Sequence, residues 1–392
     1  MIYLDNSATT EIGRVAKEKM IEAMDIYGNP SSRHKMGISA REIIDDARNS
    51  VGFALGVQRP PAENLIFTAS GSEANNTAIL GSLYAKEKRR FNKVITTDSE
   101  HPSVENVMRK IEKDGFEVIR LSTKGGVIDE EELSAALDSG VALVSIMLVN
   151  NETGACYDVK KLFSIVKRRC PDAVTHCDAV QGFLKIPFTA KALGADLISI
   201  SAHKIHGPKG VGALYINPEI IKMKKIVPYI IGGGQEGGYR SGTENIVGIA
   251  GFGAAAMIGR TDFAKNSAKM TALRDLCEKK AIWAGARPNI PTGGRAPHVL
   301  SLTLPSIKSE TMLNFLSAKG ICVSAGSACS SHSRNISSAL VGFGVSEADA
   351  DCTVRVSFSE YNTEDEIIAF CEALKDGIDS LVRIKHQKIK QT

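Results

Sequence analysis

Between about residues 60 and 216, short β-rich apolar runs alternate with helical stretches, and this alternation limits the chain more than any other feature. A run such as VALVSIMLV, 141–149, offers no polar face to water, so a strand built from it must be covered on both sides. Strands of that kind separated by helices predict an α/β fold whose mostly parallel sheet lies between helical layers. The pattern predicts seven strands, at 64–68, 93–97, 117–121, 141–149, 173–177, 197–201 and 212–216. From about residue 261 the order becomes helix 267–283, strand 299–304, helix 308–319, strand 354–358 and helix 364–384, which predicts a smaller α+β domain.

A chain of 392 residues has room for two or three domains, and 43% hydrophobic residues supply a large core. The formal charge of +4 is small for this length and gives no reason to expect a nucleic-acid surface. Aromatic residues at 6% are too few for a base-stacking platform. The 8 cysteines form no C-x-x-C pair, which argues against a disulfide framework or a zinc site and reads most of them as small buried hydrophobes. The N-terminal MIYLDNSATT lacks the basic and apolar segments of a leader. The longest weakly polar run, 246–259, is too short and glycine-rich to span a bilayer, so a cytoplasmic protein without a membrane partner is expected.

Three stretches place reactive groups at strand ends. In NLIFTASGSEANNTAIL a strand runs into Ser70-Gly71-Ser72 and then a helix beginning near Glu73, which reads either as an N-cap or as an anion site. In THCDAVQG, Asp178 closes an apolar strand and needs a cap, an ion pair or a ligand as partner. In DLISISAHKIHGPKG a strand delivers Ser201, His203 and Lys204 to the C-terminal edge of the sheet, where open α/β sheets bind ligands. A lysine there is either solvated or desolvated and nucleophilic. Together these groups match the needs of pyridoxal phosphate: an amine for a Schiff base, an acid for the pyridine nitrogen and a cradle for the phosphate.

The stretches YLDNSATT, GNPSSRHKMG, EHPSV, VNNETG, HCDAVQ, SAHKIHGPKGVGALY, GGGQEGGYRSGTEN, GSACSS and VRVSFSEYNTEDE follow one another from Tyr3 to about Ile367. In this order they resemble the motifs of the class V aminotransferase group of fold type I pyridoxal-phosphate enzymes, and within it the cysteine desulfurases of the NifS/IscS kind. The resemblance implies a homodimeric transferase that binds pyridoxal 5'-phosphate, converts L-cysteine to L-alanine and passes the sulfur to an acceptor protein, either an iron–sulfur scaffold or a tRNA-thiolation carrier. It implies a large cofactor-binding domain over 15–260. The small domain would comprise 1–14 and 261–392 and carry the catalytic cysteine loop at about 324–344.

By the same resemblance, Lys204 would carry the cofactor, Asp178 would keep the pyridine nitrogen protonated and His101 would stack on the ring. His101 and Lys204 would also move protons. Gln181 would bond the ring oxygen, and Asn151 would orient cofactor and substrate. Gly71, Ser72, Ser201 and His203 would hold the phosphate, joined by Thr243 from the neighbouring subunit, since the GGGQEGGYRSGTEN loop has no evident use within its own chain. Arg355 would clamp the substrate carboxylate with its planar fork. Cys329 would accept the sulfur as a persulfide, and its small neighbours Gly326, Ser327, Ala328, Ser330 and Ser331 suit a loop.

Other readings explain less. A selenocysteine lyase or another class V enzyme shares the cofactor residues, but a transaminase has no use for Cys329. A degenerate sulfur-relay or scaffold-binding protein has no need to keep Lys204, Asp178, His101, Arg355 and Cys329 together. The chain departs from the usual pattern at Gly237 (commonly Arg), His206 (Tyr or Phe), Cys177 (Val), Ile336 (Pro) and Ser359-Glu360 (Gly-Arg), none of which removes a residue type the chemistry needs. His34, His176 and His206 read as core or hydrogen-bonding histidines, and His298, His332 and His386 show no metal-ligand spacing.

Overall fold

The computed structural model describes residues 1–325 and 336–389. A seven-stranded sheet comprises Leu65–Thr68 (β1), Lys93–Thr97 (β2), Glu117–Leu121 (β3), Val141–Met147 (β4), Val174–Asp178 (β5), Leu197–Ser201 (β6) and Gly212–Ile216 (β7). Its order is β1-β7-β6-β5-β4-β2-β3, and only β7 runs against its neighbours. Strands β4 to β7 are buried at every residue, as continuous apolar runs require. All seven expected strands are present. β4 ends at Met147 and not at 149 because the chain turns at Asn150, whose Oδ1 accepts the N–H groups of Glu152 and Thr153.

Helices Arg14–Met24 (α1) and Lys35–Ala54 (α2) precede the sheet, and Gly71–Tyr84 (α3) and Pro102–Lys113 (α4) follow β1 and β2. α4 starts where it does because Pro102 fits a first helical position and His101 caps it. Its Val104, Val107, Met108 and Ile111 recur at helical spacing and pack with α3 residues against Ile66, Val94, Leu143 and Leu214 of the sheet. Burying each such side chain stabilises the fold by about 1.5–3 kcal/mol. The opposite face is covered by Ile44 and Val51 of α2, by Phe163, and by Phe252 of helix Ile246–Thr261 (α5). α5 lies so close to α2 that a Cβ on Gly253 would stand 2.6 Å from Ala47 Cα. The glycine-rich run is therefore a packed helix of the core, and no single helix among the described residues is long and apolar enough to cross a membrane.

A second, four-stranded antiparallel sheet comprises Arg287–Pro288 (β8), Val299–Thr303 (β9), Ser324–Ala325 (β10) and Thr353–Ser357 (β11), in the order β8-β9-β11-β10. Helices Phe263–Ala284 (α6), Ser309–Ala318 (α7) and Glu364–Ile389 (α8) accompany it. Met270, Leu302, Met312, Val356 and Phe370 form its core, and Leu4 joins them. The N-terminal segment is held there by pairing of Ile2–Tyr3 with Ile321–Cys322 and by the Ser7 N–H donating to Ser357 Oγ at 2.8 Å.

Candidate active site

The loops after β1, β2, β4, β5 and β6 all leave the C-terminal edge of the large sheet. After β1, Ser70 caps α3 by accepting the Glu73 N–H at 3.1 Å, so the helix begins at Gly71, two residues before the expected start. A Cβ on Gly71 would come within 2.8 Å of Val180 Cγ2 and 3.4 Å of Ser201 Cβ. The Ser201 Oγ beside it is buried with no hydrogen-bond partner among the described residues, and Ser72 is exposed at the same helix terminus. Glu73 is occupied by Arg240 Nε at 2.8 Å, so its charge is matched and does not oppose an anion.

After β5, Asp178 is 6% exposed, with Oδ1 accepting the Val180 N–H at 3.0 Å and Oδ2 accepting Asn75 Nδ2 at 2.8 Å. Two residues earlier, His176 bridges Ser145 Oγ and Ser199 Oγ, and burial pushes it down to about 3. It is a neutral core histidine. Gln181 donates from Nε2 to the Ser7 carbonyl at 2.9 Å, its Oε1 meets His298 Nε2 at 3.2 Å, and one amide hydrogen is left over among the described residues.

After β6, Lys204 Nζ donates to the carbonyls of Ser7 at 2.5 Å and Ala8 at 2.9 Å. His203 Nδ1 lies 3.2 Å from Thr9 Oγ1, and burial, with Lys204, Lys209 and His101 adding to it, pushes the ring down to about 4. His101 follows β2, with Nδ1 accepting the Ser103 N–H at 3.1 Å. On β11 the second sheet contributes Arg355, 5% exposed, which donates to Asp5 Oδ1 at 2.8 Å and to the Asn151 carbonyl at 3.1 Å and keeps a buried Nε–H with no partner among the described residues. The Asn151 side chain is half-buried and makes no hydrogen bond among the described residues.

Thr243 is exposed and lines a cavity with Ala69, Val211, Glu236 and Arg240. Cys329 lies outside the described residues. The loop expected to have no use within its own chain does have one. Glu236 is buried against Arg48 at 2.7 Å and accepts the Phe67 N–H at 2.7 Å, because a guanidinium as buried as Arg48 needs a counter-charge. Gly237 follows with φ +63° and no room for a Cβ, which would meet Glu63 Cα at 2.8 Å, so both the backbone and the packing favour glycine there. Reading the sequence missed Asp5, Ser7, Ala8, Asn75 and Ser103. Asn75 left one clue, an amide amid the apolar Ala74, Ala78 and Ile79 of α3.

The groups present fit pyridoxal phosphate. An unpartnered buried hydroxyl and a helix N-terminus suit its phosphate, a buried carboxylate its pyridinium nitrogen, and a lysine its aldehyde. The aminotransferase class-V profile matches residues 2–370. A cysteine desulfurase of Trichormus azollae is 37% identical over 387 residues, covering 97% of this chain and 94% of that protein. A solved NifS-like protein superposes with a TM-score of 0.88 at 36% identity over 96% of this chain and 98% of its own. A structure of SspA in complex with cysteine does so with a TM-score of 0.77 at 30% identity over 93% and 100%.

Proposed function

The chain belongs to the class-V aminotransferase family and is a pyridoxal-phosphate-dependent cysteine desulfurase, and on that premise we propose which residues carry the reaction. L-cysteine and the Cys329 thiol give L-alanine and the Cys329 persulfide, so that sulfur leaves the substrate β-carbon and bonds to Sγ. Bound pyridoxal phosphate supplies an electron-accepting ring conjugated to the substrate α-carbon. Lys204 would hold the cofactor's aldehyde carbon, and its Nζ would move the proton at the substrate α-carbon. Asp178 keeps the ring nitrogen protonated. Gly71, Ser72, Ser201 and the neutral His203 bind the phosphate, while Thr243 reaches the phosphate of the other subunit in a homodimer. Gln181 bonds the ring oxygen with its remaining N–H, and His101 and Asn151 orient ring and substrate. Arg355 binds the substrate carboxylate through its Nε–H, which has no partner among the described residues.

The observation that carries this reading is the convergence of Asp178, Lys204 and the unpartnered Ser201 hydroxyl at one sheet edge, facing an arginine from the second sheet. The separate apolar cores of the two sheets support a division into 15–260 and 1–14 with 261–392. The enzyme works in the cytoplasm and hands its sulfur to an iron–sulfur scaffold or a tRNA-thiolation carrier.

The test is alanine and sulfide release from L-cysteine, together with borohydride fixation of the cofactor. Cys329→Ala is expected to bind L-cysteine with the wild-type spectral change yet form no persulfide. Lys204→Ala is expected to lose the fixed cofactor. Peptide mapping that placed the cofactor on another lysine, such as Lys209, would overturn the assignment. Undiminished desulfuration by Cys329→Ala would replace it with a selenocysteine-directed or general class V activity.

A further inference from the structure

A path of donors and acceptors, buried at Asp178 and Asn75 and half-buried at Ser103, joins Asp178 to His101 through two residues given no role in the reaction above. Asn75, 1% exposed on α3, places Nδ2 at 2.8 Å from Asp178 Oδ2 and 2.9 Å from Ser103 Oγ. Ser103 Oγ in turn lies 2.8 Å from His101 Nδ1, the atom that also accepts the Ser103 backbone N–H. Valence sets the direction of every bond. The Asn75 amino group carries two hydrogens and gives one to each neighbour. The flipped amide would set Asn75 Oδ1 against a carboxylate oxygen, acceptor against acceptor. Ser103 Oγ therefore accepts from Asn75, and because the Ser103 backbone N–H already donates to His101 Nδ1, that nitrogen is an acceptor and takes the hydroxyl hydrogen as well. That nitrogen accepts twice and holds no proton.

We propose that Asn75 and Ser103 are positioning residues that lock His101 as the neutral imidazole with its proton on Nε2. His101 then serves as a donor at Nε2, and the base at the α-carbon is Lys204. The division of roles rests on the desulfurase reading, whereas the tautomer belongs to the protein with or without cofactor. The surroundings agree with a neutral ring. Burial lowers the affinity of His101 for a second proton, Lys204 and Arg355 lower it further, and Asp178 alone opposes them. His203 adjoins His101 and is itself held neutral by burial. The N-terminus of the 12-residue α4, where His101 is the cap, also disfavours a cation.

The experiment is nitrogen NMR of the cofactor-free full chain labelled with 15N-histidine, with His101 assigned by His101→Gln. The expected spectrum shows His101 Nδ1 unprotonated and Nε2 protonated from mildly acidic to mildly basic pH. Ser103→Ala removes one of two hydrogen bonds to Nδ1 and is expected to raise the His101 pKa by about half to one unit. Ser103→Thr, which keeps the hydroxyl, is expected to titrate as wild type does, and Asn75→Leu to shift the pKa in the same direction as Ser103→Ala but less. In the loaded enzyme, Ser103→Ala is expected to lower kcat for L-cysteine while KM stays near wild type. A wild-type ring protonated on Nδ1, or a Ser103→Ala titration that matches wild type, would overturn the proposal. If the tautomer is as stated and no alanine forms from L-cysteine, the desulfurase reading fails while the positioning stands.

Discussion

Asp178 and Glu360 are both carboxylates sunk near the loop that carries Lys204, and they are held by opposite means. Asp178 receives only neutral donors, the Asn75 amide and the Val180 N–H, and forms no ion pair among the described residues. Glu360 lies 3.8 Å from Lys185 Nζ and 3.3 Å from His206 Nε2, accepts Asn266 Nδ2 at 3.2 Å, and shares an almost buried cluster with them. Burial pushes Glu360 up, but Lys185 and the His206 hydrogen bond more than reverse this and bring it down to about 2. The charge of Glu360 is matched inside the protein. That of Asp178 is solvated by dipoles yet unmatched, which is what a cationic ring nitrogen requires. A buried acid thus shows its use by whether a protein cation already faces it.

The sharpest way to break this contrast is to neutralise each acid in turn. Asp178→Asn is expected to lower turnover by at least about a hundredfold, the scale seen when a preorganised charge at a reacting centre is removed. Its effect on stability, measured by urea unfolding, is expected to be the smaller of the two. Glu360→Gln is expected to leave turnover per folded molecule near wild type but to cost about 3 kcal/mol, because Lys185 is left as a buried unpaired charge. The reverse pattern would sink the comparison.

Acid sharpens the same point. The folded pKa of Glu360, about 2, lies below its ordinary 4.5, so its contribution is full above about pH 4.5 and is lost as pH falls toward about 2. The stability difference between wild type and Glu360→Gln should therefore shrink steadily between about pH 5 and about pH 3. A difference that stayed constant over that range would show that Glu360 acts by packing and not by charge. The smallest effect belongs to His206→Phe, which gives up hydrogen bonds to the Glu11 carbonyl and to Glu360 and should cost about 1 kcal/mol in the same measurement.

Much of the fold was legible because strands such as 141–149 are apolar throughout and admit one environment. Lys204, Asp178 and Ser201 were legible for a related reason: each is a polar residue at the end of such a run, where a chain that only needed burial would have stopped differently. Asn75 and Ser103 were not. They meet across a separation of 28 positions, and which face of α3 turns toward α4 is decided by packing that no local pattern encodes. His206 and Glu360 each stood out alone as departures from the family pattern. Only the fold, by closing a gap of 154 residues between them, makes them one exchange of partners. The use of Glu236 was missed similarly, since its partner Arg48 lies 188 positions away.

The attachment of the N-terminal segment sets an order of events in time. The hairpin of β6 and β7 that carries Lys204 can form once residue 216 is made. Ser7 and Ala8, whose carbonyls hold the Lys204 amine, reach that place through a segment anchored on Ile321–Cys322, Arg355 and Ser357. At about 5–20 residues per second of synthesis, residues 2–8 leave the ribosome on the order of half a minute before those partners exist. Through that interval residues 2–8 have no strand to pair with, and the lysine they will hold is already in its turn. The surroundings of Lys204 are completed by residues 5–8 and 321–357 together, so a nascent chain stalled before residue 321 carries Lys204 in its turn without the carbonyls that hold its amine in place.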